Sequence, residues 1–217
     1  MRFSRHRWIL WAFKVVAGVY FLPALVLAAT FHVSPHGSNT PPYDTYATAA
    51  HEVAAAVVVS AGYGDTVLVH AGIYPIDSTI FIPAGLTWAG VDRDSVRLDW
   101  TDTERRPGTI AKPAGDNEIY GLEFNYPLGA GFNDAINGLH CFMSLTITLR
   151  DCRLRELEAW IDGSGYLEAY NNEFLFGPGR GLVASTGQAW VHHNAFFGGT
   201  PNGPGKGVYC YAAGEVV

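Results

Sequence analysis

From Gly64 onward the chain alternates short apolar runs with clusters of Gly, Pro, Asp and Asn. The runs fall at 66–70, 79–82, 95–98, 118–124 and 145–149. Short strands with frequent turns, and no stretch that supports a long helix, predict an all-β fold. Upstream the texture differs. "TFHVS" at 30–34 predicts a strand, and "PHGSNTPPYD" holds only turn and loop residues. In "TYATAAHEVAAAVVVSA", Val53, Ala56, Val57 and Ala61 recur at helical spacing. They predict one amphipathic helix of about three turns. The β-branched Val57, Val58 and Val59 work against it, and Gly62 and Gly64 end it.

The runs after residue 145 repeat. "LRDCRL", "AYNNEF" and "VHHNAF" superpose when Cys152, Asn172 and Asn194 are aligned. Leu154, Phe174 and Phe196 then coincide, as do Ile147, Leu167 and Ala189, and Leu149, Ala169 and Val191. A period of about 20–22 residues with three apolar columns predicts a β-solenoid in which each coil stacks on the last. Asn172 and Asn194 then form a turn ladder, because asparagine accepts left-handed backbone geometry and stacked amides hydrogen-bond along the axis. His193 aligns with Asn171 and Asp151 beside that turn.

Composition adds a compartment. Arg2, Arg5, Arg7 and Lys14 precede the apolar stretch 15–28, and Val26 and Ala28 suit cleavage after Ala28. Residues 1–28 therefore read as a signal peptide, and the protein as secreted, periplasmic or cell-surface. The competing reading, an uncleaved anchor, suffers from Lys14, which leaves fewer than the ~20 apolar residues a span needs. Cleavage removes four of the 14 Lys+Arg and none of the 20 Asp+Glu, moving the net charge from −6 to −10. That disfavours nucleic acid and anionic membranes as partners. Cys141, Cys152 and Cys210 form neither a disulfide framework nor a zinc spacing. They read as buried small apolar residues, with a Cys141–Cys152 bridge open to an exported chain.

"FHVSPHGSNTPPYDTYATAAHEVAAAV" followed by "GDTVLVHAGIYP" resembles the opening of bacterial secreted right-handed parallel β-helix proteins of the pectin-lyase-like superfamily. "GLTWAGVDRDSVRLDW" looks like their second coil. The resemblance is strong over residues 31–100 and one of pattern over 108–217. It departs at Val58 and Val59, where polar residues are usual. It implies a right-handed single-stranded parallel β-helix (solenoid), with an N-terminal strand and capping helix over 29–63 and coils over 64–217. It implies no reaction, because the superfamily includes lyases, hydrolases, epimerases and adhesins. The last residues, "GVYCYAAGEVV", stop inside a coil, which reads as truncation at the C-terminus. "TDTERRPG" and "NYPLGAGFNDAING" look like loops that leave the coil.

Alternation along each strand places the candidate chemistry. With Leu149, Ala169 and Val191 inside, Arg150, Tyr170 and His192 point out in one column. Thr148, Glu168 and Trp190 form a second. Extended by one coil, Val208 and Cys210 point in and Tyr209 and Tyr211 out, onto the same face. Aromatic rings stack on sugar rings, and arginine pairs with a uronate carboxylate. The expected partner is therefore a polysaccharide, with Glu168, Trp190, Tyr209 and Tyr211 as binding residues. A β-elimination lyase needs a carboxylate neutraliser, a base and an acid, roles that Arg150, His192 and Tyr170 could fill. The rival expectation is a non-enzymatic surface, adhesion or structural solenoid, whose outer face carries ordinary cross-strand pairs.

Metal chemistry finds less support. His192 and His193 would point to opposite faces of a regular strand, so no metal site is assigned. Calcium could use Asp151, Asp162, Glu168 or Glu173, but no calcium-loop spacing is present. "GTPNGPGKG" lacks the first glycine and the Ser/Thr of a phosphate loop. Arg93, Arg97, Arg105 and Arg106 are interleaved with acidic neighbours and read as a solvated loop face. Glu156 and Glu158 offer no placement for a sugar between two carboxyls.

Overall fold

A computed structural model describes residues 27–101, 109–126, 137–141, 146–155, 158–161, 165–176, 180–184, 188–198, 206–210 and 215–216. The predicted signal peptide up to residue 26, Tyr211, Asp162, Glu156, Arg105, Arg106 and most of "GTPNGPGKG" lie outside them.

β1 (Thr30–Val33) is followed by one helix, α1 (Val53–Val59). The chain then makes successive circuits of three strands. The first is β2 (Thr66–Val69), β3 (Gly72–Ile76) and β4 (Ile80–Ile82). The second is β5 (Thr87–Gly90), β6 (Val96–Trp100) and β7 (Thr109–Pro113). The third is β8 (Asn117–Tyr120), β9 (Glu123–Asn125) and β10 (Asn137–Cys141). The fourth is β11 (Thr146–Arg150), β12 (Arg153–Arg155) and β13 (Glu158–Ile161). The fifth is β14 (Tyr166–Tyr170), β15 (Glu173–Phe176) and β16 (Arg180–Ala184). The sixth is β17 (Gln188–His192), β18 (Ala195–Gly198) and β19 (Lys206–Cys210), after which β20 (Glu215–Val216) begins another.

Like members of each circuit pair in parallel. The first sheet runs β1-β2-β5-β8-β11-β14-β17-β20, the second β3-β6-β9-β12-β15-β18, and the third β4-β7-β10-β13-β16-β19. The molecule is thus all-β, with parallel sheets and one helix among the described residues. Four strands, β7 to β10, lie between 109 and 141, while most of the two stretches expected to leave the coil, 101–108 and 125–138, lies outside the described residues. The run 118–124, expected as one strand, is broken into β8 and β9 at Gly121, whose φ is +69°.

The expected columns are in register. Ile147, Leu167 and Ala189 pair in line, as do Leu149, Ala169 and Val191, and Leu154, Phe174 and Phe196. All are buried except Val191 and Phe196, which pack partly buried against the same core. Phe174 and Phe196 stack with centroids 4.8 Å apart, and Trp88 meets Phe124 edge-on at 5.8 Å. Parallel in-register pairing explains the columns, since each side chain packs on the equivalent one of the next circuit.

The helix is shorter than expected. Ser60 is already extended, and its hydroxyl donates to the Val57 carbonyl. Ala61 is consequently exposed, while Val53, Ala56 and Val57 face the core. The buried Asp65 carboxylate accepts from the N–H groups of Ala29 and Ala61 at 2.9 and 2.8 Å, tying the start of β1 to the end of α1. β1 also joins β2 through His32 Nδ1 and His70 Nε2, 2.9 Å apart. Burial, followed by the nearness of His32, lowers the His70 pKa.

The turns after β11, β14 and β17 are built from two adjacent positions with different jobs. Asp151, Asn171 and His193 adopt left-handed φ values of 53°, 57° and 55°. Asn172 and Asn194, which the sequence reading placed in that geometry, come one residue later and turn inward. Asn172 Oδ1 accepts from the Cys152 N–H at 2.9 Å, and Asn194 Oδ1 accepts from the Asn172 N–H at 2.8 Å. Cys152 itself is a free thiol, fully buried, so it forms no bridge with Cys141.

Candidate functional site

The outer face of the first sheet carries two side-chain columns. Tyr120, Arg150, Tyr170 and His192 are paired in register on β8, β11, β14 and β17. Glu118, Thr148, Glu168 and Trp190 form the neighbouring column. The register puts Arg150, Tyr170, His192, Glu168 and Trp190 on one face, as the alternation implied. Successive circuits lie about 4.8 Å apart, so the columns form a continuous polar and aromatic strip.

Tyr209 does not extend it. It lies on β19, which pairs with β16 in the third sheet, opposite Val183. The strand that continues the first sheet after β17 is β20, with Gln188 opposite Glu215. A short alternating strand looks the same in sequence whichever sheet it joins, and the extension by one coil landed one sheet away. Val208, expected inside, is exposed.

Glu118 and Tyr120 were not singled out from the sequence, yet they complete the strip. Arg150 Nε meets Glu118 Oε1 at 2.7 Å, and its Nη1 meets Asp151 Oδ2 at 2.9 Å. Its guanidinium carbon lies 3.8 Å from the Tyr120 ring centroid, a cation–π contact. Burial works to lower the Arg150 pKa, but the hydrogen bonds to Glu118 and Asp151 outweigh it and raise it. The guanidinium is thus charged, partly buried and engaged by two carboxylates. The signal that could have found these partners is Gly121, which marks the same turn as Asp151 one circuit earlier.

Tyr170 and His192 stack face to face at 5.1 Å, 9° from parallel. Trp190 flanks His192 at 4.6 Å and is 45% exposed, which leaves part of its ring open to a ligand. Glu168 Oε1 lies 3.5 Å from His192 Nε2. His193 departs from the expectation of opposite faces. Its left-handed backbone swings the side chain back, and the Nδ1 atoms of His192 and His193 are 2.9 Å apart.

The second sheet shows what an interlocked face looks like. Glu173, Arg153, Glu123 and Arg97 are paired in register on β15, β12, β9 and β6, alternating in charge. Arg153 reaches Asp94, Glu123 and Glu173 at 2.8, 3.1 and 2.8 Å. Arg93 pairs with Glu173 at 2.9 Å, and Arg97 with Asp99 at 2.9 Å. These arginines are committed to carboxylates, and Glu173 and Asp151 are likewise committed to arginines. Among the described residues, no three His, Cys, Asp or Glu side chains gather in a cluster suited to a metal ion. No described helix is long and apolar enough to cross a membrane.

Compared with known proteins, the chain matches no family model, no curated protein and no solved structure.

Proposed function

We propose that this chain is an exported right-handed parallel β-helix, of the pectin-lyase-like kind, that binds polysaccharide along the outer face of its first sheet. The observation that carries the reading is the double column, with Trp190 half exposed beside the carboxylate of Glu168 and the hydroxyl-bearing Thr148 one circuit further along. An exposed indole offers an apolar platform for a sugar ring, and the neighbouring polar groups can receive its hydroxyls.

The sharper alternative, β-elimination on a polyuronide with Arg150, Tyr170 and His192 as catalytic residues, draws less support. Arg150 would have to leave Glu118 and Asp151 to neutralise a uronate. Those carboxylates and Glu168 also repel a polyanion. The face therefore favours neutral glycans and binding over elimination. A non-enzymatic surface or adhesion solenoid is the other reading, and the same closed ion pairs favour it.

Affinity electrophoresis against neutral and uronate polysaccharides tests the three together, with absorbance of 4,5-unsaturated product followed in parallel. Retardation by a neutral glycan is expected. Trp190→Ala should weaken it about two- to tenfold, the worth of one aromatic contact. Product from a polyuronide would establish the lyase. No retardation and no product would leave the structural solenoid.

A further inference from the structure

The histidine pair at the end of β17 offers a chemistry separate from sugar binding. We propose that His192 and His193 form a transition-metal site, with both Nδ1 atoms as ligands. The inference is independent of the polysaccharide reading.

Three observations carry it. First, the two Nδ1 atoms converge at 2.9 Å, with the rings 83° apart. Two imidazole nitrogens on one tetrahedral ion, each bound at about 2.0–2.1 Å, stand roughly 3.3 Å from each other. An opening of a few tenths of an ångström therefore suffices. Second, His192 is held in place before any ion arrives. Tyr170 stacks on its ring, Trp190 flanks it, and the Asn194 amide donates to its backbone carbonyl at 3.0 Å. Third, its other nitrogen is enclosed and has no hydrogen-bond partner, with the Glu168 carboxylate at 3.5 Å. A small shift of Glu168 would let it accept from that nitrogen, the usual support behind a metal-bound imidazole. Without metal, the Nδ1–H of one ring donates to the Nδ1 of the other. Metal binding moves that proton through solvent to the Nε2 of the ring that carried it and frees both Nδ1 lone pairs.

Paired imidazoles suit Cu²⁺, Ni²⁺ or Zn²⁺ over Ca²⁺ or Mg²⁺. His193 is exposed, so an ion has access, and the remaining coordination positions open to solvent. The competitor is the His32–His70 pair, whose nitrogens are also 2.9 Å apart. It is less open, because the Tyr46 ring lies edge-on to His70 at 4.7 Å.

The test titrates the full chain with Cu²⁺ alone, by calorimetry and electron paramagnetic resonance. The expected result is one tight equivalent with nitrogen hyperfine structure. His193→Asn keeps a residue suited to the left-handed turn, and it should weaken binding at least tenfold. Glu168→Gln should weaken it about tenfold. His70→Gln should leave it unchanged. On the unmutated protein, Cu²⁺ should protect His192 and His193 from diethyl pyrocarbonate, as read by mass spectrometry. The proposal falls if no Cu²⁺ binds, if His193→Asn binds as the wild type does, if His70→Gln removes the site, or if neither histidine is protected.

Discussion

Asn172→Ala is the sharpest test of how the circuits are held together. The Asn172 side chain is buried between β14 and β15 and makes three hydrogen bonds. Its Oδ1 accepts from the Cys152 N–H at 2.9 Å, and its Nδ2 donates to the Leu149 carbonyl at 2.8 Å and to Asn194 Oδ1 at 3.0 Å. Alanine leaves the buried Cys152 N–H without that acceptor and the Leu149 carbonyl without that donor. Asn194 Oδ1 keeps the Asn172 backbone N–H at 2.8 Å, so its loss is smaller. Each buried group left unsatisfied costs about 1–3 kcal/mol, so the two together cost about 2–6 kcal/mol. For a chain of this length each kcal/mol lowers Tm by about 2–4 °C. Differential scanning calorimetry with urea unfolding should therefore show a fall of roughly 4–24 °C. Asn171→Gly is the control. Asn171 is exposed and left-handed, and its amide donates only to the Asp151 carboxylate in the described contacts. Glycine suits that φ, so the change should cost little. An Asn172→Ala protein that melts within a degree or two of the wild type would refute the ladder as a structural element.

Three further predictions concern enclosed groups elsewhere. Arg153→Ala removes the centre of the second-sheet network and leaves Glu123 with Arg155 and Glu173 with Arg93, so it should cost about 1–3 kcal/mol in urea unfolding. The loss should shrink in high salt somewhat less than for Arg93→Ala, because Arg153 is the more enclosed of the two. Burial pushes the Cys152 thiol up to about 12, and burial, then the nearness of Tyr46, pushes the Tyr74 hydroxyl up to about 12. The unfolded chain then releases both protons at lower pH than the folded one. Their contribution to stability is whole below the ordinary thiol value of 9.0 and is lost as pH rises toward about 12. Tm measured from pH 8 to 12 should fall, and Cys152→Ala should flatten the early part of that fall. Alkylation of Cys152 in native protein at pH 8 should be undetectable by peptide mapping.

The circuits were legible from residue 145 onward because parallel in-register stacking writes the same residue class at the same phase. Cys152, Asn172 and Asn194 mark the phase, and Leu154, Phe174 and Phe196 confirm it. Earlier circuits were harder to read. β3 contains Pro75 and β7 ends at Pro113, both poor strand signals. β3 tolerates its proline because it is the end strand of the second sheet. Gly121 hid the turn between β8 and β9, and with it the partners of Arg150. Period-two alternation carries no label for the sheet a strand joins, which is why Tyr209 was assigned to the wrong face. The ion pairs Arg93–Glu173 and Arg153–Asp94 join residues far apart in sequence, where local charge pattern carries no information about the pairing.

The turn column also bears on what the surface is for. At its left-handed position the successive circuits carry Gly121, Asp151, Asn171 and His193. The first three suit the geometry by lacking a side chain or by local hydrogen bonding. Histidine, like asparagine and aspartate, is enriched in that geometry, so the turn alone does not choose between them at 193. The inward neighbours do not choose between them through any special packing. Asn194 makes the same ladder contacts as Asn172, and Val191 pairs with Ala169 as Ala169 does with Leu149. The scaffold would thus be served equally well by asparagine at 193, so folding alone gives no reason for the imidazole. What the histidine adds is the 2.9 Å approach of its Nδ1 to that of His192. A side chain that the turn does not require is free for another role, and at 193 it stands against the aromatic column of Tyr170 and His192.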